Sequence, residues 1–225
     1  MKNVIVTGAN GFIGSSLIKK LVANNIQVVA IDVSFADDRL PDSELVNKIE
    51  AFVDDSLIDK IPSGEYDAFY HFAWKGVNAN PTVQLANVQM AVFCADICKN
   101  LGIKKYLCAG TVAENAVYSL PNLASTSGGM MYGVAKYACH LILEDYCKNI
   151  GQEFVWMQFS NIYGVGNKTG NLVSYTLNEL MSGKDATFGP ALQPYDFIYV
   201  DDLIEAVYRL GANKTEKSFY FIGSG

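Results

Sequence analysis

Short apolar runs alternate along this chain with longer stretches whose apolar residues repeat at helical spacing. The runs are rich in β-branched and aromatic residues and almost continuously apolar, which predicts parallel strands covered on both faces. These predicted strands are residues 4–6, 28–31, 69–72, 106–108, 154–157 and 219–222. Apolar stripes between them predict helices over residues 13–22, about 82–100 and about 133–149.

The alternation of strands with helices of this length predicts right-handed crossovers and therefore an α/β fold with a doubly wound parallel sheet. Gly102 and Gly151 follow the second and third predicted helices, where a glycine cap fits. From residue 161 the local composition changes, and turn-forming Gly and Asn residues become frequent. We therefore predict a first domain over residues 1–160 and a smaller mixed segment over residues 161–225 that contributes the last sheet elements.

Composition narrows the class of protein. The chain has 225 residues, a formal net charge of −6, 50% hydrophobic residues and only 18% charged residues. The negative charge argues against a nucleic-acid partner or an anionic membrane surface, and no apolar run is long enough for a membrane span. The residues thus predict a compact globular protein rather than a disordered one.

The five cysteines are odd in number and scattered through apolar segments, which favours reduced thiols inside the cell over a disulfide framework. With no signal-peptide pattern at the start of the chain, we expect a cytoplasmic location. Cys94 and Cys98 lie four residues apart on a predicted helix, but no histidine or second cysteine pair adjoins them in the sequence. We therefore expect no metal site.

Residues 7–14 read Thr-Gly-Ala-Asn-Gly-Phe-Ile-Gly and join the first predicted strand to the first predicted helix. Glycines at such a junction allow a tight turn, a close approach of the backbone to a pyrophosphate, and close packing of helix on strand. The alternative is a purely structural turn. The predicted cofactor contacts in this loop are Gly8, Asn10, Gly11, Phe12, Ile13 and Gly14.

Asp32 follows the second predicted strand, 18 residues beyond Gly14, where a carboxylate can accept hydrogen bonds from the ribose hydroxyls of NAD. The same charge would repel the 2′-phosphate of NADP, and no arginine follows at position 33 or 34. Asp54, after the next candidate strand, is a candidate for the adenine amine, although Asp55 and ordinary loop solvation compete with this interpretation.

Tyr132 and Lys136 lie four residues apart at the start of the third predicted helix and therefore share one face. An ammonium close to a phenol favours the phenolate, which makes Tyr132 a candidate general base. A Tyr–Lys pair at this spacing is expected by chance in a chain with 13 tyrosines, so the position matters more than the pair. Thr111 follows a strand at the edge where α/β sheets form ligand crevices, and we expect the three side chains to converge there.

With these motifs in place, the chain resembles the extended short-chain dehydrogenases/reductases, specifically the NAD-dependent epimerase/dehydratase group that acts on nucleotide sugars. Residues 7–14 match the glycine motif, and Thr111, Tyr132 and Lys136 match the catalytic triad. Further matches are His71-Phe72-Ala73-Trp74 to the His-x-Ala signature, Asn87 to the helix asparagine, residues 161–164 to the substrate-asparagine segment, and residues 196–202 to the late Asp-Phe-x-x-Val-x-Asp block.

The resemblance implies a Rossmann domain that binds NAD and a small, incomplete C-terminal substrate-binding portion. It implies catalysis by Thr111, Tyr132 and Lys136, of which Tyr132 and Lys136 also bind the cofactor. It further implies cofactor contacts at Phe72, Ala73 and Asn87, and substrate contacts at Thr111 and Asn161. The implied partners are a nucleotide-sugar substrate and a second copy of the chain, since the helices near 82–100 and 133–149 form the dimer seam in such relatives. Their apolar faces could equally pack within one chain.

Three departures from the family pattern refine the expectation. The 4,6-dehydratases carry Asp-Glu directly after the triad threonine, whereas this chain has Val112 and Ala113, and Glu114 takes a different heading if the stretch is extended. Tyr195 stands where an arginine commonly grips the diphosphate. Family members also usually continue well past the strand near residue 221, so this is either a truncated chain or a short member.

We therefore expect an NAD-dependent nucleotide-sugar epimerase that works through a transient 4-keto sugar, with dehydration disfavoured. The alternatives are an NAD(P)H-dependent 4-keto sugar reductase and a catalytically inert NAD-binding sensor protein.

Overall fold

The computed structural model describes residues 1–76, 80–122, 130–168, 171–190, 192 and 195–225. Within these ranges the chain forms nine strands, five α helices and two 3₁₀ helices. The strands are β1 (Asn3–Thr7), β2 (Gln27–Asp32), β3 (Val46–Glu50), β4 (Ala68–His71), β5 (Lys105–Thr111), β6 (Glu153–Phe159), β7 (Asn161–Tyr163), β8 (Phe197–Tyr199) and β9 (Phe219–Ile222). The α helices are α1 (Phe12–Ala23), α2 (Pro81–Asn100), α3 (Met130–Ile150), α4 (Leu172–Met181) and α5 (Val200–Ala212), and the 3₁₀ helices are Asp55–Lys60 and Val112–Asn122.

Seven strands form one sheet in the order β3-β2-β1-β4-β5-β6-β9, and every neighbouring pair is parallel. The chain runs outward from β1 through β2 to β3, and then returns to place β4 on the other side of β1. In the register of that pair Val4 lies opposite Ala68 and Thr7 opposite His71. The predicted doubly wound parallel sheet is confirmed, and its topological switch point lies between β1 and β4.

Helices cover both faces of this sheet, as the continuous apolar character of the strands predicts. On one face, Val4 and Val6 pack in a core formed with α1 and α5. On the other face, Ile5 lies in a core with α2 and α3 that also contains all five cysteines. Successive residues of β1 therefore point to opposite cores. The five cysteines are free and buried.

The six predicted strands and three predicted helices are all present, with shifts of a few residues at their ends. α3 begins at Met130, about three residues before the predicted start, and β9 has the predicted bounds. Gly102 and Gly151 follow α2 and α3 with φ of +63° and +72°, the left-handed conformation expected of a helix cap. β3, β7, β8, α4 and α5 are not among the predicted elements. β7 and β8 have three residues each, too few to show a period, and β3 is a partly exposed edge strand that includes Asn47 and Lys48.

The segment after residue 160 is divided between two locations. β9 pairs with β6 and extends the main sheet, whereas β7 and β8 form a separate two-stranded parallel sheet. α5 packs against α1. α4 buries none of its residues. In the described part of the chain, no helix has the length and apolar character needed to cross a membrane.

Candidate active site

The candidate site lies at the carboxyl edge of the sheet, around the switch point. The glycine loop leaves β1 there, residues 72–76 leave β4 beside it, and Thr111 ends β5 one strand further along. Crevices at this edge of an open parallel sheet are the usual ligand sites of such folds. The topology thus brings the three predicted motifs to one edge.

Close backbone packing explains the glycines of the loop. Gly8 has φ +67°, and a Cβ on it would lie 2.6 Å from the backbone nitrogen of Ala73. A Cβ on Gly14 would lie 2.1 Å from the carbonyl oxygen of Gly8. The Gly11 N–H donates a 3.1 Å hydrogen bond to that same carbonyl, which closes the turn. Gly8 and Gly14 are therefore required by the packing of α1 and residue 73 against the loop.

The N-terminus of α1 is open to an anion. Gly11 is its N-cap, no side chain caps it, and its first turn holds no acidic residue. Phe12 and Ile13 begin the helix and pack partly against the core. A helix start with free N–H groups and a positive dipole end binds phosphate favourably, so these residues fit the pyrophosphate of a dinucleotide.

Asp32 ends β2 beside the glycine loop, with its carboxylate held in place by the backbone. Its Oδ2 accepts the N–H of Asn10 at 2.8 Å, and its Oδ1 accepts the N–H of Val33 at 2.7 Å. Each oxygen keeps a further lone pair, so the carboxylate can still accept hydrogen bonds from ribose hydroxyls. This placement fits the role predicted for it.

Asn10 also ties the glycine loop to residues 34–39, a role that the sequence analysis does not predict. Its side-chain amide donates to the carbonyls of Ser34 and Asp37, and its Oδ1 accepts the N–H of Arg39. These contacts span 24 to 29 residues of chain. No local pattern encodes such a pairing, although an asparagine within a glycine motif is itself a signal for backbone bonding.

Asp54 caps a helix. Its Oδ1 accepts both the N–H and the hydroxyl of Ser56, at 3.0 and 2.6 Å, at the start of the 3₁₀ helix Asp55–Lys60. The hydrogen bond from the Ser56 side chain lowers the pKa of Asp54 below its usual value. The structure therefore gives Asp54 a capping role, and its contact with adenine stays a prediction.

The segment after β4 is fixed by backbone contacts. The Phe72 N–H donates to the Thr7 carbonyl, which carries the β1–β4 pairing one residue further. The buried amide of Asn87 on α2 bonds reciprocally to Lys75, donating to its carbonyl at 3.0 Å and accepting its N–H at 2.8 Å. Asn87 thus braces this segment, and direct contact of Phe72, Ala73 or Asn87 with a cofactor stays a prediction.

The predicted catalytic side chains lie around the end of β5. Nζ of Lys136 donates to the carbonyl of Ala109 at 2.7 Å and lies 3.7 Å from the ring centre of Trp74. The Trp74 ring in turn meets the ring of Tyr132 edge-on, with 6.1 Å between the ring centres. Thr111 Oγ1 accepts the N–H of Ala113 at 3.3 Å.

The start of α3 packs directly on the segment that follows Thr111. A Cβ on Gly133 would lie 2.5 Å from the carbonyl oxygen of Ala113, so only glycine permits this approach. Gly133 adjoins Tyr132 in the sequence. The close contact therefore brings the turn that carries Tyr132 against the loop that carries Thr111.

Glu114 has a structural position that the sequence analysis does not predict. The stretch after Thr111 is not extended, so the condition attached to the heading of Glu114 is not met: Val112–Asn122 is a 3₁₀ helix. The Glu114 carboxylate is buried and accepts hydrogen bonds from the Thr111 N–H, the Trp156 indole and the Gln158 amide. Burial raises its pKa above the usual value, against the effect of these three donors. The available signal in the sequence is an acidic residue that lies, with Asn115, between Ala113 and Ala116-Val117.

Asn161 begins β7 and is tied to the strand beside it. Its backbone N–H and its side-chain amide both donate to the carbonyl of Asp196, at 3.2 and 3.0 Å. In both bonds Asn161 is the donor, so its Oδ1 is the atom that would accept a hydrogen bond from a substrate. The contact of Asn161 with a substrate stays a prediction.

His71 ends β4 beneath the site and is fully enclosed. Its Nδ1 is 2.7 Å from the Thr7 hydroxyl and 3.3 Å from Sγ of Cys94. The fold thus brings a histidine next to Cys94, although no histidine adjoins the Cys94/Cys98 pair in the sequence. Burial, and then the charge of Lys136, lower the pKa of His71 to about 3. The described residues contain no cluster of three or more His, Cys, Asp or Glu side chains arranged to hold a metal ion.

The sequence profile of the NAD-dependent epimerase/dehydratase family matches residues 4–223. The chain belongs to this family. The match spans the glycine loop, the Thr111–Tyr132–Lys136 set and both sheets, so the resemblance noted from the motifs is confirmed. The family is NAD-dependent and includes epimerases of nucleotide sugars.

Individual relatives have low sequence identity but align with most of the chain. A putative UDP-glucose 4-epimerase of Methanocaldococcus jannaschii is 26% identical, over 99% of this chain and 77% of its own length. The dTDP-6-deoxy-L-talose 4-dehydrogenase (NAD(+)) of Aggregatibacter actinomycetemcomitans is 28% identical, over 89% of this chain and 77% of its own.

Among solved structures, the UDP-N-acetylglucosamine 4-epimerase of Methanobrevibacter ruminantium M1, in complex with UDP-N-acetylmuramic acid, superposes with a TM-score of 0.82. It is 24% identical and covers 99% of this chain and 76% of its own. At this identity the superposition supports the fold.

Proposed function

We propose that this chain is an NAD-dependent nucleotide-sugar epimerase that inverts its substrate through a transient 4-keto sugar. The observation that carries the proposal is the placement of Thr111, Tyr132 and Lys136 at the edge of the sheet that also holds the glycine loop. The 4-epimerases among the relatives support the reaction class. The proposal therefore depends on residues of this chain, and the relatives support the choice of 4-epimerisation as the reaction.

The glycine loop, the open N-terminus of α1 and the Asp32 carboxylate are the residues that would hold NAD. The bound cofactor supplies reversible hydride transfer at ring carbon four of the sugar. Asp32 favours NAD over NADP, because a carboxylate that accepts from ribose hydroxyls would repel a 2′-phosphate. Positions 33 and 34 are Val and Ser, which offer no compensating charge.

Proton transfer falls to Tyr132, whose phenolic oxygen would take the proton of the sugar 4-hydroxyl and later return it. Thr111 is arranged to assist. Its Oγ1 already accepts the Ala113 N–H, which leaves its own O–H free to donate to the substrate oxygen. The buried ammonium of Lys136 would bond the nicotinamide ribose.

Water elimination is the disfavoured reaction in this proposal. Val112 and Ala113 have no proton to transfer, and the Glu114 carboxylate is occupied by three hydrogen-bond donors in the protein interior. A buried and fully bonded carboxylate is poorly placed to act on a substrate. These observations favour epimerisation over 4,6-dehydration.

A 4-keto nucleotide-sugar reductase is the second candidate, favoured by the relative that is a dTDP-6-deoxy-L-talose 4-dehydrogenase. The same three residues would serve, with the product leaving after one hydride transfer. Net consumption of external NAD(P)H identifies a reductase, whereas an epimerase consumes none. An NAD-binding sensor without catalysis is the third candidate, and a complete Thr-Tyr-Lys set weighs against it.

Tyr132→Phe is the variant that tests the proposal. The protein is incubated with NAD and a panel of UDP-, CDP-, GDP- and dTDP-sugars, ranked first by thermal shift and then by sugar inversion in proton NMR spectra. We expect Tyr132→Phe to lose turnover while retaining NADH binding by calorimetry, because only the proton-transferring oxygen is removed.

Tyr146→Phe is the matched control. It removes a hydroxyl from the same helix at the far end, where that hydroxyl donates to Asp96. We expect it to leave turnover unchanged. Near-wild-type turnover in Tyr132→Phe would contradict the assignment of the base.

We also propose that the chain forms a homodimer through the outer faces of α2 and α3. Val92, Leu141 and Ile142 line an open groove of about 490 Å³ between these helices, and Leu141 and Ile142 are about half exposed. Light scattering of the wild type and of Leu141→Lys tests this, with a shift from dimer to monomer expected in the variant.

A cytoplasmic location is part of the proposal, supported by five free, buried cysteines, which persist in a reducing compartment. The division at residue 160 into an NAD-binding domain and a substrate-binding segment stays a prediction.

A further inference from the structure

Trp74 is the first residue of interest outside the predicted machinery, because it contacts two members of the proposed triad at once. It follows β4, its ring lies over the Lys136 ammonium, and it meets the Tyr132 ring edge-on. We propose that Trp74 is a positioning residue that holds Lys136 and Tyr132 in register for the reaction. This inference rests on the proposed function and gives Trp74 a role that its place in the motif at residues 71–74 does not assign.

The environment of Lys136 shows why an aromatic ring matters there. The residue is only 4% exposed, and its ammonium is hydrogen-bonded to the Ala109 carbonyl. Within the described ranges no carboxylate lies within ion-pair distance of Nζ. A buried cation requires compensation, and the face of the Trp74 ring at 3.7 Å provides it.

Other groups near Lys136 are less suited to this role. The indole of Trp156 is further away, at 5.9 Å from Nζ to the ring centre. Burial keeps His71 neutral in the ordinary pH range. The Lys136 charge acts on four buried groups, His71, Cys108, Glu114 and Cys139. Glu114 is the carboxylate among them, and among the described contacts its oxygens lie beyond ion-pair distance of Nζ.

The Trp74 ring is itself held from the other side of the site. Its indole N–H donates a 3.0 Å hydrogen bond to Oε1 of Gln84, a residue of α2 that is 1% exposed. With its polar end fixed, the ring presents its face to Lys136 and an edge contact at 79° to Tyr132, the arrangement aromatic pairs prefer. A chain of contacts from α2 through Trp74 thus orients both side chains on α3.

The contact itself is testable in solution without any ligand. Aromatic ring currents shift nuclei above a ring face upfield, so the side-chain methylene signals of Lys136 should be displaced in protein carrying ¹³C-labelled lysine. Lys136→Met assigns the signals. We expect Trp74→Leu to abolish the displacement, Trp74→Phe to keep part of it, and Trp156→Phe to keep most of it, because Trp156 is the more distant indole.

The functional readout is the kinetics of sugar inversion, with NAD and the best substrate of the panel. We expect Trp74→Leu to lower kcat about tenfold, the scale of a buried cation–π contact, while KM for the sugar changes little. Trp74→Phe retains a ring face, and its kcat should be close to that of the wild type. Gln84→Leu keeps the Trp74 ring but removes its hydrogen bond, and its kcat should lie between those of Trp74→Leu and Trp74→Phe.

The outcomes separate the two proposals. A wild type that neither binds NADH nor inverts any sugar overturns the proposed function, and with it the role of Trp74 in the reaction. An active wild type whose Lys136 signals are not displaced, or a Trp74→Leu variant with the kcat of Trp74→Phe, overturns the Trp74 inference alone. Melting curves of all variants identify any that lose kcat through unfolding, and Gln84→Leu then serves as the decisive variant.

Discussion

The backbone N–H of Thr111 donates a 2.7 Å hydrogen bond to Oε1 of Glu114, a carboxylate that is 1% exposed. The same carboxylate accepts from the indole of Trp156 and from the amide of Gln158 on the neighbouring strand. A Cβ on Gly110 would lie 2.8 Å from Oε1 and 2.3 Å from the indole nitrogen, so the backbone before Thr111 passes directly over this network. Glu114 therefore fixes the backbone that carries the proposed catalytic hydroxyl.

Glu114→Gln should destabilise the fold, although its shape is almost unchanged. All three partners of the carboxylate are donors, and a side-chain amide would place its own NH₂ group against at least one of them. A buried donor left without an acceptor costs about 1–3 kcal/mol. Urea unfolding at neutral pH measures the loss, and turnover should fall as well because the hydrogen-bond network beneath Thr111 is disturbed.

Glu144→Gln is the control for that variant. Glu144 lies one helical turn from His140 on α3, is half exposed, and bonds to the hydroxyl of Ser218. Changes at exposed positions of this kind usually shift stability by less than about 0.5 kcal/mol. Equal effects of the two substitutions would show that the burial of Glu114 does not matter to the fold.

Gly14→Ala should disrupt the glycine loop. The new methyl group would lie 2.1 Å from the Gly8 carbonyl oxygen, which is backbone and cannot rotate away. Overpacking of this kind costs about 1–3 kcal/mol, and relief of the clash would move the turn that faces the pyrophosphate. We expect a lower melting temperature and weaker NADH binding in calorimetry.

Gly189→Ala makes the same chemical change at an exposed loop position where a Cβ meets nothing within 4 Å. Its melting temperature and NADH affinity should equal those of the wild type. If Gly14→Ala behaves like Gly189→Ala, the close packing of α1 on the loop is not a requirement of the fold.

The main sheet could be predicted from the sequence because its information is local. Buried parallel strands such as β1 and β5 have continuously apolar centres, at residues 4–6 and 106–109, and their alternation with α1, α2 and α3 determines the layer arrangement. The site edge then follows from topology, since Thr111 and the glycine loop come at strand ends. The three-residue strands β7 and β8 carry too little pattern to be recognised.

The supporting contacts of the site could not be predicted, because they join residues far apart in the chain. Asn10 bonds to residues 34–39, and Glu114 meets an indole 42 residues away. Trp74 is part of the motif at residues 71–74, yet its position over Lys136 depends on how α3 packs against β4 and β5. Long-range side-chain pairing of this kind depends on the assembled fold rather than on periodicity.

Asp32→Asn should weaken NADH binding and reduce the preference for NADH over NADPH. The substitution keeps one acceptor oxygen but removes the charge, and hydrogen bonds to a charged group contribute about 1.5–3 kcal/mol. We expect about a tenfold or greater rise in the NADH dissociation constant by calorimetry, with a smaller change for NADPH.

Asp54→Asn is the companion measurement, since the structure assigns Asp54 a capping bond to Ser56. An affinity for NADH equal to wild type would indicate a capping role alone, whereas a loss comparable to that of Asp32→Asn would support the predicted adenine contact. An unchanged NADH constant in Asp32→Asn would remove Asp32 from the cofactor site.

The enclosed His71 should make the fold sensitive to mild acid. Burial, followed by the nearby charge of Lys136, lowers the pKa of His71 to about 3. In the unfolded chain a histidine takes up a proton near pH 6.5, so as the pH falls below that value protonation stabilises the unfolded state only. The contribution of His71 to the free energy of unfolding is therefore complete above about pH 6.5. It is lost progressively towards pH 3, at up to about 1.4 kcal/mol per pH unit.

His71→Asn isolates this effect, because an amide can replace Nδ1 in the bond to the Thr7 hydroxyl without titrating. We expect the difference in free energy of unfolding between wild type and variant, measured by urea at each pH, to shift in favour of the variant as the pH is lowered from 7 to 5. His140, the other histidine of the chain, is retained in both proteins, so its contribution cancels. A difference that stays constant over this range would mean that His71 is protonated as readily in the folded protein as in the unfolded chain.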